Sequence, residues 1–177
     1  MSERLNECRK VDLDFFSEAP IRIESEITLP CSAADLFRCF EDADAWADWV
    51  SAIRKVEWTS SKPFQAGTTR TVFMPGGMVA YEEFIAWDAP RHMAFRFNQF
   101  NRNFLSAFSE DYRVTDLDDN RCRLVWTVGV EPKGGPGWLS LLLKPFIARN
   151  LRGISKALEQ YRRGEGRRFC RPESDGA

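Results

Sequence analysis

Residues 138–161 read WLSLLLKPFIARNLRGISKALEQY, and the spacing of their apolar members decides the fold class. Leu139, Leu142, Leu143, Phe146, Ile147, Leu151, Ile154, Leu158 and Tyr161 recur at steps that keep to one side of a 3.6-residue helix. Arg149, Arg152, Lys156, Glu159 and Arg162 take the other side. A helix of this length spans about 35 Å, and an apolar stripe that long needs a broad apolar partner. Pro145 inside it predicts a kink or a division into two pieces.

The segments upstream supply the partner. Ile21, Ile23, Ile27 and Leu29 alternate with Arg22, Glu24, Glu26 and Thr28, the pattern of a half-buried strand. Pro30 closes it, and Ser32-Ala-Ala-Asp35 opens a short helix with Leu36, Phe37 and Phe40 on its buried side. A second short helix near 44–50 carries Trp46 and Trp49. From Ile53 a meander follows, with strands expected at 53–59, 67–74, 78–87, 91–98, 104–115 and 121–130. Pro75-Gly76-Gly77, Asp88-Ala-Pro-Arg91 and Asp118-Asp119-Asn120 are turn material, too short for crossover helices, so neighbours run antiparallel.

With 177 residues and 44% apolar content, the chain predicts one domain with a sizeable core. Residues 1–20 read as a charged arm carrying Leu5, Cys8, Val11, Phe15 and Phe16, either a short amphipathic helix or an ordered extension. Residues 21–163 form the domain, and 164–177 a polar tail. A net charge of -1 supplies no global field for nucleic acid or anionic membrane. No apolar run approaches a bilayer span, and MSERLNECRK lacks the apolar core of a signal peptide, so a cytoplasmic location is expected.

The five cysteines, Cys8, Cys31, Cys39, Cys122 and Cys170, show no CxxC spacing, and His92 is the single histidine. A zinc site is therefore not expected. Cys31 and Cys39 bracket the first helix and read as packing residues rather than nucleophiles. No nucleotide loop or Ser-His-Asp elbow is present, and no cofactor is indicated. His92 precedes Met93, so alternation turns it outward, as a solvated turn residue.

Strand, two short helices, six antiparallel strands and a long final helix is a specific order. It resembles the START/polyketide-cyclase (SRPBCC) superfamily over about residues 21–163. The resemblance is carried by 21–30 with the 32–40 helix, Trp46-Ala-Asp-Trp49 leading to Val56-Glu57, Gly67, Asp88-Ala-Pro-Arg91, and 151–158. It implies an α+β helix-grip fold, a curved antiparallel sheet of about seven strands wrapped on the carboxy-terminal helix. The superfamily includes lipid and sterol carriers, quinone-binding proteins, cyclases and receptors, and fold alone does not choose among them.

In such a fold the inner sheet face and the long helix line a cavity. Alternation points Leu124, Trp126 and Val128 inward, with Met93, Phe95 and Phe97. Phe146 and Leu151 would face them from the helix. Taken alone, these residues read as a packed core; it is the resemblance that shifts the reading toward a cavity for a small hydrophobic molecule. The polar interruptions are sharper. One face of 104–115 reads Phe104, Ser106, Phe108, Glu110, Tyr112 and Val114. Glu82 and Glu83 are adjacent, so a regular strand must aim one of them inward. A carboxylate there, near Glu110, would have a raised pKa unless Arg70 compensates it.

Three roles stay open for these groups. They form a structural ion pair, they orient the polar head of a lipid-, quinone- or polyketide-like ligand, or Glu110 and Tyr112 act as acid and base in a cofactor-independent cyclisation or dehydration. A further reading keeps the interior filled and makes the arm or the long helix a protein–protein surface, a homodimer included.

Overall fold

The computed structural model describes residues 5–118 and 120–134, together with Pro145, Arg149 and Gly153. The chain runs β1 (Asn6–Glu7), α1 (Phe15–Glu18), β2 (Ile21–Leu29), α2 (Ala33–Glu41), α3 (Ala45–Trp49), β3 (Lys55–Trp58), β4 (Thr69–Met74), β5 (Met78–Asp88), β6 (His92–Phe100), β7 (Leu105–Asp118) and β8 (Arg121–Pro132). The fold class is α+β, with an eight-stranded antiparallel sheet.

The sheet order is β2-β8-β7-β6-β5-β4-β3. β3 to β8 are sequential neighbours, joined by short turns except for the 59–68 loop between β3 and β4, while β2 lies beside β8 from Ile21 opposite Val130 to Leu29 opposite Cys122. These are the seven strands that alternation predicts. The eighth, β1, has no alternation to read: two residues pair Asn6 with Phe100 and Glu7 with Gln99.

β1 occupies a split in the sheet. The β6–β7 ladder covers His92–Arg96 against Ser109–Arg113 and goes no further. Beyond it the arm enters the wedge, where Cys8 N donates to Asn98 O at 2.9 Å and Arg9 N to Ser106 O at 2.7 Å. Cys8 is buried in the main core. The arm then crosses the outer face, where Val11 and Phe15 pack on Ala107. Gly129 permits this approach, since a Cβ there would lie 3.1 Å from the Phe15 ring. The charged arm of the sequence is thus both a strand and a short helix. Deleting residues 1–9 is expected to cost about 2 kcal/mol through lost backbone bonds and Cys8 burial, measured as a lower urea midpoint.

α2 starts where the sequence places it. Ser32 Oγ accepts from Asp35 N at 3.1 Å, and Ala33 N donates to Asp116 Oδ1 at 2.7 Å, so two of the helix's free amides are satisfied. Its buried side, Leu36, Phe37 and Phe40, packs with Trp46 and Trp49 of α3 on one end of the inner sheet face. Phe40 meets Tyr112 edge-on at 5.4 Å, and Trp49 meets Trp126 at 6.4 Å.

Most of the long helix, with Phe146 and Leu151, and the tail at 164–177 lie outside the described residues. Pro145, Arg149 and Gly153 are helical. Gly153 sits against α3 so closely that a Cβ would fall 2.5 Å from Trp49 O. That neighbour is backbone and cannot swing aside. Gly153→Ala is therefore expected to push the helix off α3 and cost about 1–3 kcal/mol, read from chemical unfolding.

Three expectations change in detail. Cys39 is buried but disulfide-bonded, so it does not act merely as a packing thiol. His92 does face outward, yet it is half-buried and bonded, with Nε2 2.6 Å from Asp111 Oδ1, because Asp111 and Arg113 of the neighbouring strand flank it. Ser106 leaves the inner face. It is the unpaired residue of a bulge between Leu105 and Ala107, which turns Leu105 inward in its place.

Candidate functional site

The helices α2 and α3 cover only one end of the inner sheet face, and the other end encloses a cavity of about 420 Å³. Its walls are apolar. Phe95, Phe97 and Phe100 come from β6, Phe108 from β7 and Trp126 from β8, while Val50, Ala52 and Ile53 after α3 and Met74 and Met78 at the β4–β5 turn complete it. Phe100 joins Phe95 and Phe97 because Asn98 is skipped in the β5–β6 register, a bulge that resets the alternation.

Four polar side chains share this space: Arg70, Glu82, Glu110 and Tyr112. Arg70 and Glu82 are direct cross-strand partners on β4 and β5. They are 1% and 4% exposed, and Arg70 Nε donates to Glu82 Oε2 at 2.6 Å. That register settles which of the two adjacent glutamates points inward. Glu83 faces the other way and accepts from Asn98 Nδ2 at 2.8 Å and Arg96 Nη2 at 3.1 Å. Burial pushes the Glu82 carboxyl above its ordinary range and the adjacent guanidinium opposes this.

Aromatic rings fix Arg70 in place. Its guanidinium carbon lies 4.1 Å from the Trp46 ring, 4.6 Å from Phe95, 5.1 Å from Phe84 and 5.5 Å from Trp58. Cation–π attraction partly replaces the hydration that burial removes. Trp46 itself is anchored by donating from Nε1 to Phe40 O at 2.9 Å.

Glu110 and Tyr112 stand two residues apart on β7 and so share a face. Tyr112 Oη donates to Glu110 Oε2 at 2.5 Å, and Trp126 Nε1 donates to the same oxygen at 3.1 Å. Both bonds favour the carboxylate, yet desolvation outweighs them and, with the Glu82 charge adding to it, raises the Glu110 pKa to about 7. Glu110 is half-buried and lines the cavity. Burial, reinforced by the neighbouring Glu110, holds the Tyr112 phenol well above its usual range, so it remains a proton donor at neutral pH.

The structure therefore brings Arg70, Glu82, Phe95, Phe97, Phe108, Glu110, Tyr112 and Trp126 together around one space. Met93 and Leu124 are fully buried but do not reach it, because they lie in the closed core. Trp46, expected as scaffold, is also a cavity wall. Its role over Arg70 had no signal in local sequence, since α3 and β4 meet only in the fold. Among the described residues no cluster of His, Cys, Asp and Glu is arranged to hold a metal ion, and no helix is long and apolar enough to cross a membrane.

The fold these elements build is shared with known proteins. Residues 20–162 match the family model for polyketide cyclase/dehydrase and lipid transport proteins. The chain belongs to this family. Uncharacterized proteins of Mycobacterium bovis and Mycobacterium tuberculosis are 39% identical over 154 residues, 87% of this chain and 92% of theirs. A START superfamily protein from Mycobacterium smegmatis superposes with a TM-score of 0.68 at 13% identity, covering 78% of this chain and 97% of its own. The Zhui aromatase/cyclase from Streptomyces sp. R1128 gives 0.67 at 17% identity, covering 82% and 98%. At these identities the two structures establish the shared START-type fold, and the family itself rests on the match of residues 20–162.

Proposed function

We propose that this polyketide cyclase/lipid-transport family member binds one small, largely apolar molecule in the cavity on the inner face of β4–β8. The observation that carries this reading is the cavity itself. Protein interiors are normally filled to crystal-like density, and an apolar space of about 420 Å³ with a few convergent polar groups has the size and character of a ligand site. Native mass spectrometry of freshly purified protein, followed by organic extraction, tests it. A stoichiometric apolar adduct is expected. No adduct, and no thermal shift with quinones, fatty acids or aromatic polyketides, would defeat the proposal.

A second reading is catalytic, and the Glu110–Tyr112 contact favours it. A carboxyl titrating near pH 7 beside a phenol that keeps its proton supplies a base and a polarising donor without any cofactor. Aldol cyclisation or dehydration of a polyketide-like substrate is the matching chemistry, and the aromatase/cyclase among the structural neighbours points the same way. In this reading Glu110→Gln and Tyr112→Phe lose turnover by about a hundredfold or more while ligand binding and the folded structure persist. Unchanged turnover in both variants would leave only the carrier role.

A further inference from the structure

The polar end of the ligand can be read from the donors the cavity leaves unused, an inference that rests on the binding role proposed above. Arg70 is 1% exposed and its Nη1 has no hydrogen-bond partner among the described residues. A buried donor left unmade costs about 1–3 kcal/mol. The rings of Trp46, Trp58, Phe84 and Phe95 hold the guanidinium where it is, so Nη1 cannot turn to another acceptor. Among the described residues Trp49 Nε1 is the other unpartnered buried donor, but Trp49 does not line the cavity.

Glu110 adds to the same preference. Its two bonds both end on Oε2, from Tyr112 and Trp126, and Oε1 receives none among the described residues. When protonated, the carboxyl is a second donor facing the ligand space. The charge balance then narrows the choice. Arg70 is already matched by Glu82, and Glu110 is a second acid in the same cavity. A ligand carboxylate would set two carboxylates, and a third whenever Glu110 is ionised, against one guanidinium, in surroundings too apolar to screen them.

We propose that the bound molecule ends in an uncharged acceptor oxygen, a ketone or quinone carbonyl, seated against Arg70 Nη1, and that the cavity discriminates against free carboxylic acids. A carbonyl oxygen offers two lone pairs and brings no charge. It would satisfy Nη1 and accept from a protonated Glu110 without disturbing the Arg70–Glu82 pair.

Competition against Nile red, a neutral apolar dye, tests this on the full chain with three ligands of one shape: an acetylnaphthalene, the matching isopropylnaphthalene and the matching naphthoate. The acetyl compound is expected to bind about ten- to a hundredfold tighter than either of the others. Its carbonyl infrared band should move to lower frequency on binding. Replacing the pair together, Arg70→Met with Glu82→Gln, should remove both the band shift and the preference; if that variant does not fold, the ligand series on the natural protein still decides. Naphthoate binding as tightly as the ketone would overturn the proposal in favour of an anion site. Equal binding of the isopropyl compound would overturn it by removing oxygen recognition. Nile red binding without any naphthalene would reject this inference and keep the cavity reading, whereas failure of Nile red as well would reject both.

Discussion

Arg70→Ala should destabilise the protein by about 3–5 kcal/mol at neutral pH, because it strands Glu82 as a buried acid without its partner. The pair is 1% and 4% exposed, so solvent screens it little. The alanine also removes the cation that four rings enclose and leaves a void between them. Urea unfolding at several pH values separates these contributions. The charge part should shrink as the medium is acidified and Glu82 takes up a proton, while the void part should not. Arg70→Met with Glu82→Leu should recover most of the loss, since well-packed apolar groups replace a buried ion pair at little cost. A double variant as unstable as Arg70→Ala alone would show that packing, not charge, dominates the site.

Glu110→Gln should stabilise the protein by about 3 kcal/mol above pH 7 and change nothing in acid. Burial raises the carboxyl from 4.5 to about 7, so the folded state holds this proton more tightly than the unfolded chain does. The stability contributed by the protonated form is complete below about pH 4.5 and is lost as pH rises through about 7. Glutamine keeps an oxygen for Tyr112 and Trp126 to donate to, but has no charge to desolvate. Denaturation midpoints of both proteins, followed across this range, should converge in acid and diverge from neutral pH upward. Parallel curves would mean that Glu110 is not desolvated in the folded state.

The two effects also bear on each other. Glu82 and Arg70 both act on the Glu110 carboxyl, the first raising its pKa and the second lowering it. Removing Arg70 should therefore shift the Glu110 titration upward, so the pH midpoint of the Glu110→Gln difference reports on the ion pair.

Much of this was legible in the residues. The alternation of Ile21, Ile23, Ile27 and Leu29 is a local period, and it places β2 without knowledge of its partner. The same period puts Glu110 and Tyr112 on one face, since two residues along a strand return to the same side. Ser32 and Asp35 announce the start of α2 because capping is settled within one helical turn.

What period alone could not reveal came from contacts distant in sequence. The bulges at Asn98 and Ser106 exchange which residues face inward, and nothing in their composition marks them. β1 exists only because the β6–β7 ladder stops short and leaves edges to be paired. The choice of Glu82 over Glu83 depends on Arg70 lying opposite it, a register set by the β4–β5 turn. Whether the aromatic face is core or cavity depends on how far α2 and α3 extend across it.

The sequence by itself thus determined the order of elements, the sidedness of each strand and the family resemblance, because each follows from short-range periodicity and turn chemistry. The tertiary structure decided the empty space, the unpaired Arg70 donor and the ionisation of Glu110. Those depend on desolvation and on charges brought together from β4, β5 and β7, and both effects exist only once the sheet has closed around them.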